Sequence, residues 1–397
     1  MTYGSDAIYL DHAATTPTDP AVVQVMLPYF TQQFGNPSSI YRTGQDARAA
    51  LDRARAQVAR VLGAKTSEIV FTSGATESNN LAIRGVAWAA RLKASHGPAP
   101  HIVTSVVEHH AVLHTCDALE RQGFVVTRVA CDNEGRVRPE DIEAAIRPET
   151  CLISVMYANN EVGTIQPVAE IGAIARRHGI PFHTDAVQAA GVRSLNVNEL
   201  GIDLLSLSAH KFYGPKGVGL VYLRKHTPIE FQQEGGGQES GRRGGTENVP
   251  LIVGMAEALA RADAGRAAYN AFCAALRDRL WEGIRTSIDD VVLNGPPLDA
   301  TRLPNNLNVS FRGVQGETVL LSLDMGGVAA SAGSACTTGN AEPSHVLLAS
   351  GLSEAEARAS LRLTVGRGNS EAEIDGAIDT LRETVDRVRT LSKLSAD

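Results

Sequence analysis

The sequence predicts an open α/β sheet of mainly parallel strands, and two observations predict it. Short β-rich runs alternate with helical stretches across the first two thirds of the chain, and the most distinctive polar strings fall where those runs end. A strand, turn and helix in repeated succession calls for parallel crossovers, and ligands of such sheets bind beyond the carboxyl ends of the strands.

Taken in order, TGQDARAALDRARAQVARVLG (43–63) carries helical periodicity. EIVFTS (68–73), HIVTSV (101–106), CLISVMY (151–157), IPFHTD (180–185), DLLSLS (203–208) and GVGLVYL (217–223) read as strands. TSGATES, VEHHAV, YANNEVG, HTDAVQ and SLSAHK each close a strand, so five strand ends are expected to converge on one site. After about residue 262 the chain turns helical and alanine-rich, then gives NNLNVSF (305–311), GVAASAGSAC (327–336) and SLRLTVG (360–366), the pattern of a smaller α+β unit. A chain of 397 residues exceeds the size at which one core usually stops growing. The expected division is therefore a large domain over 16–262 and a small one made of 1–15 and 263–397.

A formal net charge of −7 without clustered Lys or Arg argues against an extended nucleic-acid surface. The N-terminal stretch MTYGSDAIYLDHAATTP has neither the basic segment nor the apolar run of a secretion signal, and no window reaches the ~18 apolar residues of a membrane span. A soluble, cytoplasmic protein is expected. The five cysteines, at 116, 131, 151, 273 and 336, are scattered and contain no C-x-x-C pair, so reduced thiols are expected rather than a disulfide framework.

The chemistry gathers at the strand ends. Gly74, Ala75 and Thr76 open a helix, where free amides and a hydroxyl suit a phosphate; taken alone, the stretch reads first as an ordinary N-cap. Asp185 ends a strand. It could cap a helix, or hold the ring nitrogen of pyridoxal phosphate protonated, with Gln188 within reach of a ring oxygen. His109 could stack on a flat ring or serve the structure. Lys211, preceded by Ser208 and His210, could be a surface charge, a phosphate contact or a covalent anchor for a carbonyl cofactor. Cys336 lies in SAGSACTTGNAEPS (331–344), a run of small and polar residues that reads as an exposed loop able to move, whereas the other four cysteines have apolar or helical surroundings. Arg362 offers a bidentate fork for a carboxylate, or is a plain exposed strand arginine. The glycine-rich EGGGQESGRRGGT (234–246), taken by itself, reads as a flexible linker.

Ten strings in register, YLDHAATTP, GNPSS, TSGATESNN, EHHAV, NNEVG, HTDAVQAAG, SLSAHKFYGPKG, GGGQESGRRGGT, SAGSAC and LRLTVGR, make the chain resemble the cysteine desulfurases of the NifS/IscS type in the class-V aminotransferase family. The resemblance implies pyridoxal-phosphate fold type I and a homodimer that takes sulfur from L-cysteine and releases L-alanine. By the same resemblance Lys211, not Lys216, anchors the cofactor, His109 stacks on its ring, and Asp185 pairs with the ring nitrogen. Asn160 and Gln188 approach the ring oxygen, and Ala75, Thr76, Ser208 and His210 hold the phosphate. Thr246 would reach the phosphate of the neighbouring subunit. Cys336 would receive the sulfur as a persulfide and pass it to an acceptor such as an iron–sulfur scaffold, Arg362 would bind the substrate carboxylate, and Asn36 would assist. The nearest alternatives are a related transaminase or a selenocysteine or β-lyase. A zinc enzyme built on His110, His114 and Cys116 is more remote, because no HExxH pattern accompanies them. No motif in the sequence selects the sulfur acceptor.

Overall fold

The computed structural model describes residues 7–94, 97–332 and 342–394. β1 (Ile8–Tyr9) is followed by the strands of the main sheet: β2 (Ile69–Thr72), β3 (His101–Ser105), β4 (Val125–Val129), β5 (Thr150–Ser154), β6 (Phe182–Asp185), β7 (Leu204–Ser208) and β8 (Gly219–Leu223). They lie in the order β2-β8-β7-β6-β5-β3-β4. Only β8 runs against its neighbours; every other pairing, from β7 across to β4, is parallel. The expected parallel sheet is therefore present, with one antiparallel strand inserted beside the strand that leads to Lys211.

Both faces of the sheet are covered, so its central strands are buried on both sides and their polar residues, such as His183 between Ser154 and Ser206, are paired within the sheet. Successive residues of a strand point to opposite faces, so Phe71 belongs to one core with Leu51, Val58, Ile171 and Leu259, while its neighbour Val70 belongs to another with Ile83, Val86, Cys116 and Leu119. The first group comes from helices 42–62, 168–178 and 249–264, and the second from helices 75–93 and 110–120. Helix Arg42–Leu62 ends where Gly63 turns left-handed (φ 64°) and returns its N–H to Ala59 O and Arg60 O.

A second core is built on β9 (Val291–Leu293), β10 (Asn306–Phe311) and β12 (Ser360–Thr364), with β10 in the middle of an antiparallel sheet. Helices 266–287 and 371–394 close it through Leu276, Leu280, Ile374 and Leu381. The N-terminal strand joins this core rather than the main sheet. β1 pairs in parallel with β11 (Val328–Ala329), and Leu10 is buried among the same side chains. Residues 11–16 then run from the second core to the mouth of the main sheet, where Thr16 N donates to His210 O at 2.8 Å.

Candidate active site

The parallel strands end at a pocket of about 670 Å³, lined from the main sheet by Ser73–Glu77, Asn79, His109, Asn160, Asp185, Gln188, Ser208, His210 and Lys211, and from the second core by Arg362. All five predicted strand ends reach it. Lys211 closes the short turn after β7, and its Nζ donates to Ala13 O at 2.6 Å and Ala14 O at 2.8 Å. Lys216 lines the same pocket but is exposed, whereas Lys211 is half-buried. The chain reverses directly after Lys211 at Tyr213, a non-glycine residue held at φ 65°, whose N–H donates to Thr16 Oγ1 at 2.8 Å.

Asp185 is buried and receives two donors: Asn79 Nδ2 on Oδ2 at 2.7 Å and Val187 N on Oδ1 at 3.1 Å. A turn rather than a helix follows it, so capping a helix is not its role. Gln188 Nε2 donates to Ala13 O at 3.0 Å, the carbonyl that Lys211 also uses. His109 is the N-cap of helix 110–120 and accepts from Ala111 N through Nδ1 at 3.0 Å, which leaves the proton of the neutral ring on Nε2. Burial first, and the nearby Lys211 charge, hold His109 below the usual histidine range, while Asp185 and Glu161 oppose them. His210 is pulled down to about 4 by burial and by Lys211 and Lys216, and its Nδ1 meets Thr15 Oγ1 at 3.1 Å.

Ala75 and Thr76 begin helix 75–93, whose N-cap Gly74 supplies no side-chain acceptor to the first-turn amides. A Cβ on Gly219 would sit 2.7 Å from Gly74 Cα, so β8 can touch this helix start only because residue 219 is glycine. A Cβ on Gly74 would lie 3.7 Å from Ser208 Oγ, which places that hydroxyl and the helix N-terminus in one corner. Of the NN pair, Asn160 lines the pocket and Asn159 is buried, tying its own loop through Val107 O, Glu161 N and Val162 N. Arg362 is not an exposed strand arginine. It is buried, with Nη2 on Asp11 Oδ1 at 2.8 Å and Nη1 on Asn160 O at 3.2 Å.

Two expected residues are not brought to the pocket by this chain. Asn36 and Thr246 are exposed and are not among its lining residues. Cys336 lies outside the described residues. The other four cysteines are poor nucleophiles: burial pushes Cys116 and Cys151 up to about 12, Cys273 up to about 11, and Cys131 upward as well. The glycine-rich run 234–246 is no free linker. Buried Glu239 pairs with Arg55 at 2.6 Å and accepts from Phe71 N at 3.0 Å, and Arg243 pairs with Glu77 in the first turn of helix 75–93 at 2.8 Å. His110 stacks on His114 with ring centroids 4.8 Å apart, while Cys116 is buried beside Val112 and Leu119; among the described residues no group of three or more His, Cys, Asp or Glu is placed to hold a metal ion.

Sequence reasoning passed over the carbonyls of Ala13 and Ala14, Asn79 and Glu108. Glu108 is fully enclosed behind His109, accepts from Ser105 Oγ at 2.6 Å and Met156 N at 2.9 Å, and is pushed up to about 8 by burial. For Asn79 a signal existed: a polar residue at the head of the buried stripe that continues through Ala82, Ile83 and Val86.

An amine, a buried carboxylate and an imidazole around a helix N-terminus, on a sheet of this topology, define a pyridoxal-phosphate enzyme of fold type I. The chain matches the family described as Aminotransferase class-V over residues 8–376, and it belongs to that family. It is 50% identical to a Methanosarcina thermophila protein described as Cysteine desulfurase IscS, over 98% of this chain and 94% of that one. A solved structure titled NifS-like protein superposes with a TM-score of 0.89 at 36% identity, covering 96% of this chain and 100% of that one. Another, titled SspA in complex with cysteine, gives 0.79 at 39% identity over 90% and 99%. The residues present suit the family's cofactor: an amine for its carbonyl, a buried anion for its ring nitrogen, and amides with a hydroxyl for its phosphate.

Proposed function

We propose that the chain is a cysteine desulfurase that takes the sulfur of L-cysteine, releases L-alanine and holds the sulfur as a persulfide on Cys336. The observation that carries this reading is the convergence of Lys211, Asp185, His109 and Arg362 on one pocket. Pyridoxal phosphate, when bound, supplies an electron sink for the substrate's α-carbon. Lys211 would hold its carbonyl carbon and carry the substrate's α-proton on Nζ. Asp185, steadied by Asn79 and Val187, would keep the ring nitrogen protonated, His109 would cover the ring, and Asn160 and Gln188 would meet its oxygen. Ala75, Thr76, Ser208 and His210 would hold the phosphate, and Arg362 the substrate carboxylate.

The Cys336 thiolate attacks the substrate sulfur. An S–S bond forms, the C–S bond breaks with its electron pair left on the substrate carbon, and that carbon takes a proton to become the methyl group of alanine. We further read residues 16–262 as a cofactor-binding domain, with 1–15 and 263–397 as a smaller one carrying the cysteine. The functional unit would be a homodimer in which Thr246, held near helix 75–93 by the Arg243–Glu77 pair, serves the partner's phosphate and Asn36 assists at the substrate. The acceptor would be a protein such as an iron–sulfur scaffold, in a cytoplasm that keeps the thiols reduced. No helix among the described residues is long and apolar enough to cross a membrane.

The test is product analysis of the purified holoenzyme with L-cysteine. Alanine should appear together with one extra sulfur on the Cys336 peptide by mass spectrometry, and Cys336→Ala should lose both while keeping the cofactor. Pyruvate with ammonia, or a keto acid with amino-group transfer, would replace this reading with a β-lyase or a transaminase.

A further inference from the structure

Asn79 is completely buried in helix 75–93, and its two amide atoms are treated very differently. Nδ2 donates to Asp185 Oδ2 at 2.7 Å, whereas Oδ1, equally buried, has no hydrogen-bond partner among the described residues. Turning the amide over would set its oxygen against a carboxylate oxygen, so the carboxylate fixes which way Asn79 faces. A buried carbonyl without a donor costs free energy, and an apolar side chain of similar size would avoid that cost. Further along the helix the buried positions are apolar or glycine, among them Leu81, Ile83 and Val86, and the other buried polar residue, Ser78, has a partner in Thr72. The chain therefore retains a locally unfavourable amide whose one contact is Asp185, the pattern expected where function overrides packing.

We propose that Asn79 is a positioning residue for the cofactor's ring nitrogen: it holds the Asp185 carboxylate in the single orientation that receives a protonated aromatic nitrogen. Val187 N holds Oδ1 from the turn that follows β6 at 3.1 Å, and Asn79 holds Oδ2 from the helix side, so rotation of the carboxylate about its axis breaks one contact or the other. Without Asn79, Asp185 keeps its place in the pocket and the Val187 contact but loses the second point of attachment. This inference rests on the reading that the pocket takes pyridoxal phosphate.

The experiment compares two ligands on apo-protein: pyridoxal phosphate and its 1-deaza analogue, in which a C–H replaces the ring nitrogen. Dissociation constants come from fluorescence titration, and melting temperatures from the unliganded proteins. Asn79→Leu removes the donor and the unpaired oxygen together. It should leave the melting temperature unchanged or higher, weaken pyridoxal phosphate by on the order of 10-fold or more, the worth of one charge-assisted hydrogen bond, and change affinity for the deaza analogue by less than about twofold. Equal weakening for both ligands would mean that Asn79 only shapes the pocket and would overturn the inference. A large loss of stability with ligand discrimination intact would overturn it too. Asn79→Ala, measured in the same way, supplies the comparison if leucine overpacks the helix. A wild-type protein that binds neither ligand would instead overturn the cofactor reading itself.

Discussion

The two walls of the pocket are built on different principles. The wall from the main sheet presents groups already fastened from behind: Asp185 by Asn79 and Val187, Lys211 and Gln188 by Ala13, and His109 by the helix it caps. The facing wall contributes one buried cation, Arg362, steadied by Asp11 and by a carbonyl of the first wall, Asn160 O. The first wall fixes several atoms of one bound molecule at once, which suits a resident cofactor. The second offers a single fork, which suits a small carboxylate that comes and goes.

If that division is right, substitutions on the two walls should separate cofactor effects from substrate effects. The largest expected effect is on the first wall. Lys211→Ala should lower turnover by about 10²–10⁴-fold, the usual worth of a positioned proton carrier, and borohydride should no longer fix the cofactor to the chain. A cofactor still fixed to the protein, located by peptide mapping, would transfer the role to Lys216. Next comes the second wall. Arg362→Lys should raise KM for L-cysteine by about 10–100-fold, because an ammonium cannot reproduce a guanidinium fork. The cofactor's dissociation constant should stay within about twofold, since the lost contacts are not cofactor contacts. A matching loss of cofactor would erase the distinction between the walls.

The smallest effect concerns the sheet that carries the first wall. His183 bridges Ser154 Oγ at 2.8 Å and Ser206 Oγ at 3.0 Å, and burial pulls it down to about 3. The unfolded chain binds a proton near pH 6.5 that the folded chain refuses, so this histidine's contribution is intact above that pH and is lost as the pH falls toward its folded value. The loss amounts to about 1.4 kcal/mol per pH unit. His183→Gln should accordingly flatten the fall in melting temperature between about pH 6 and 4.5, where the imidazole would otherwise titrate on unfolding. Parallel slopes for variant and wild type would mean that His183 does not govern the acid sensitivity of this sheet.

Features with local signatures were legible in the sequence. Apolar runs closed by polar strings gave the strands and their chemically active ends, and the placement of Lys211 straight after one of them separated it from Lys216. What escaped depended on contacts between distant positions. Asn79 meets Asp185 across 106 residues, and Arg362 meets Asp11 across 351, so neither partnership leaves a local pattern. The run 234–246 has the composition of a linker, yet Glu239 anchors it to Arg55, 184 residues away, and two residues there, Glu239 and Ser240, adopt positive φ without being glycine. Composition reports what a segment can do when free; one buried ion pair removes that freedom.

The route of residues 8–14 has a consequence for how the protein is made. This stretch is made before every strand of the main sheet, yet Ile8 and Tyr9 pair with Val328 and Ala329, and Asp11 bridges to Thr364. The two carbonyls that receive the Lys211 amine follow within five residues of that strand. During synthesis the main sheet has all its strands once residue 223 has emerged, and Ala13 and Ala14 by then have Gln188 and Lys211 to bond with, whereas β1 has no strand to pair with until about a hundred further residues have been added. The nascent chain therefore carries an assembled sheet whose lysine end is covered by an untethered strap, and the strap is fixed at its far end only when β11 captures β1.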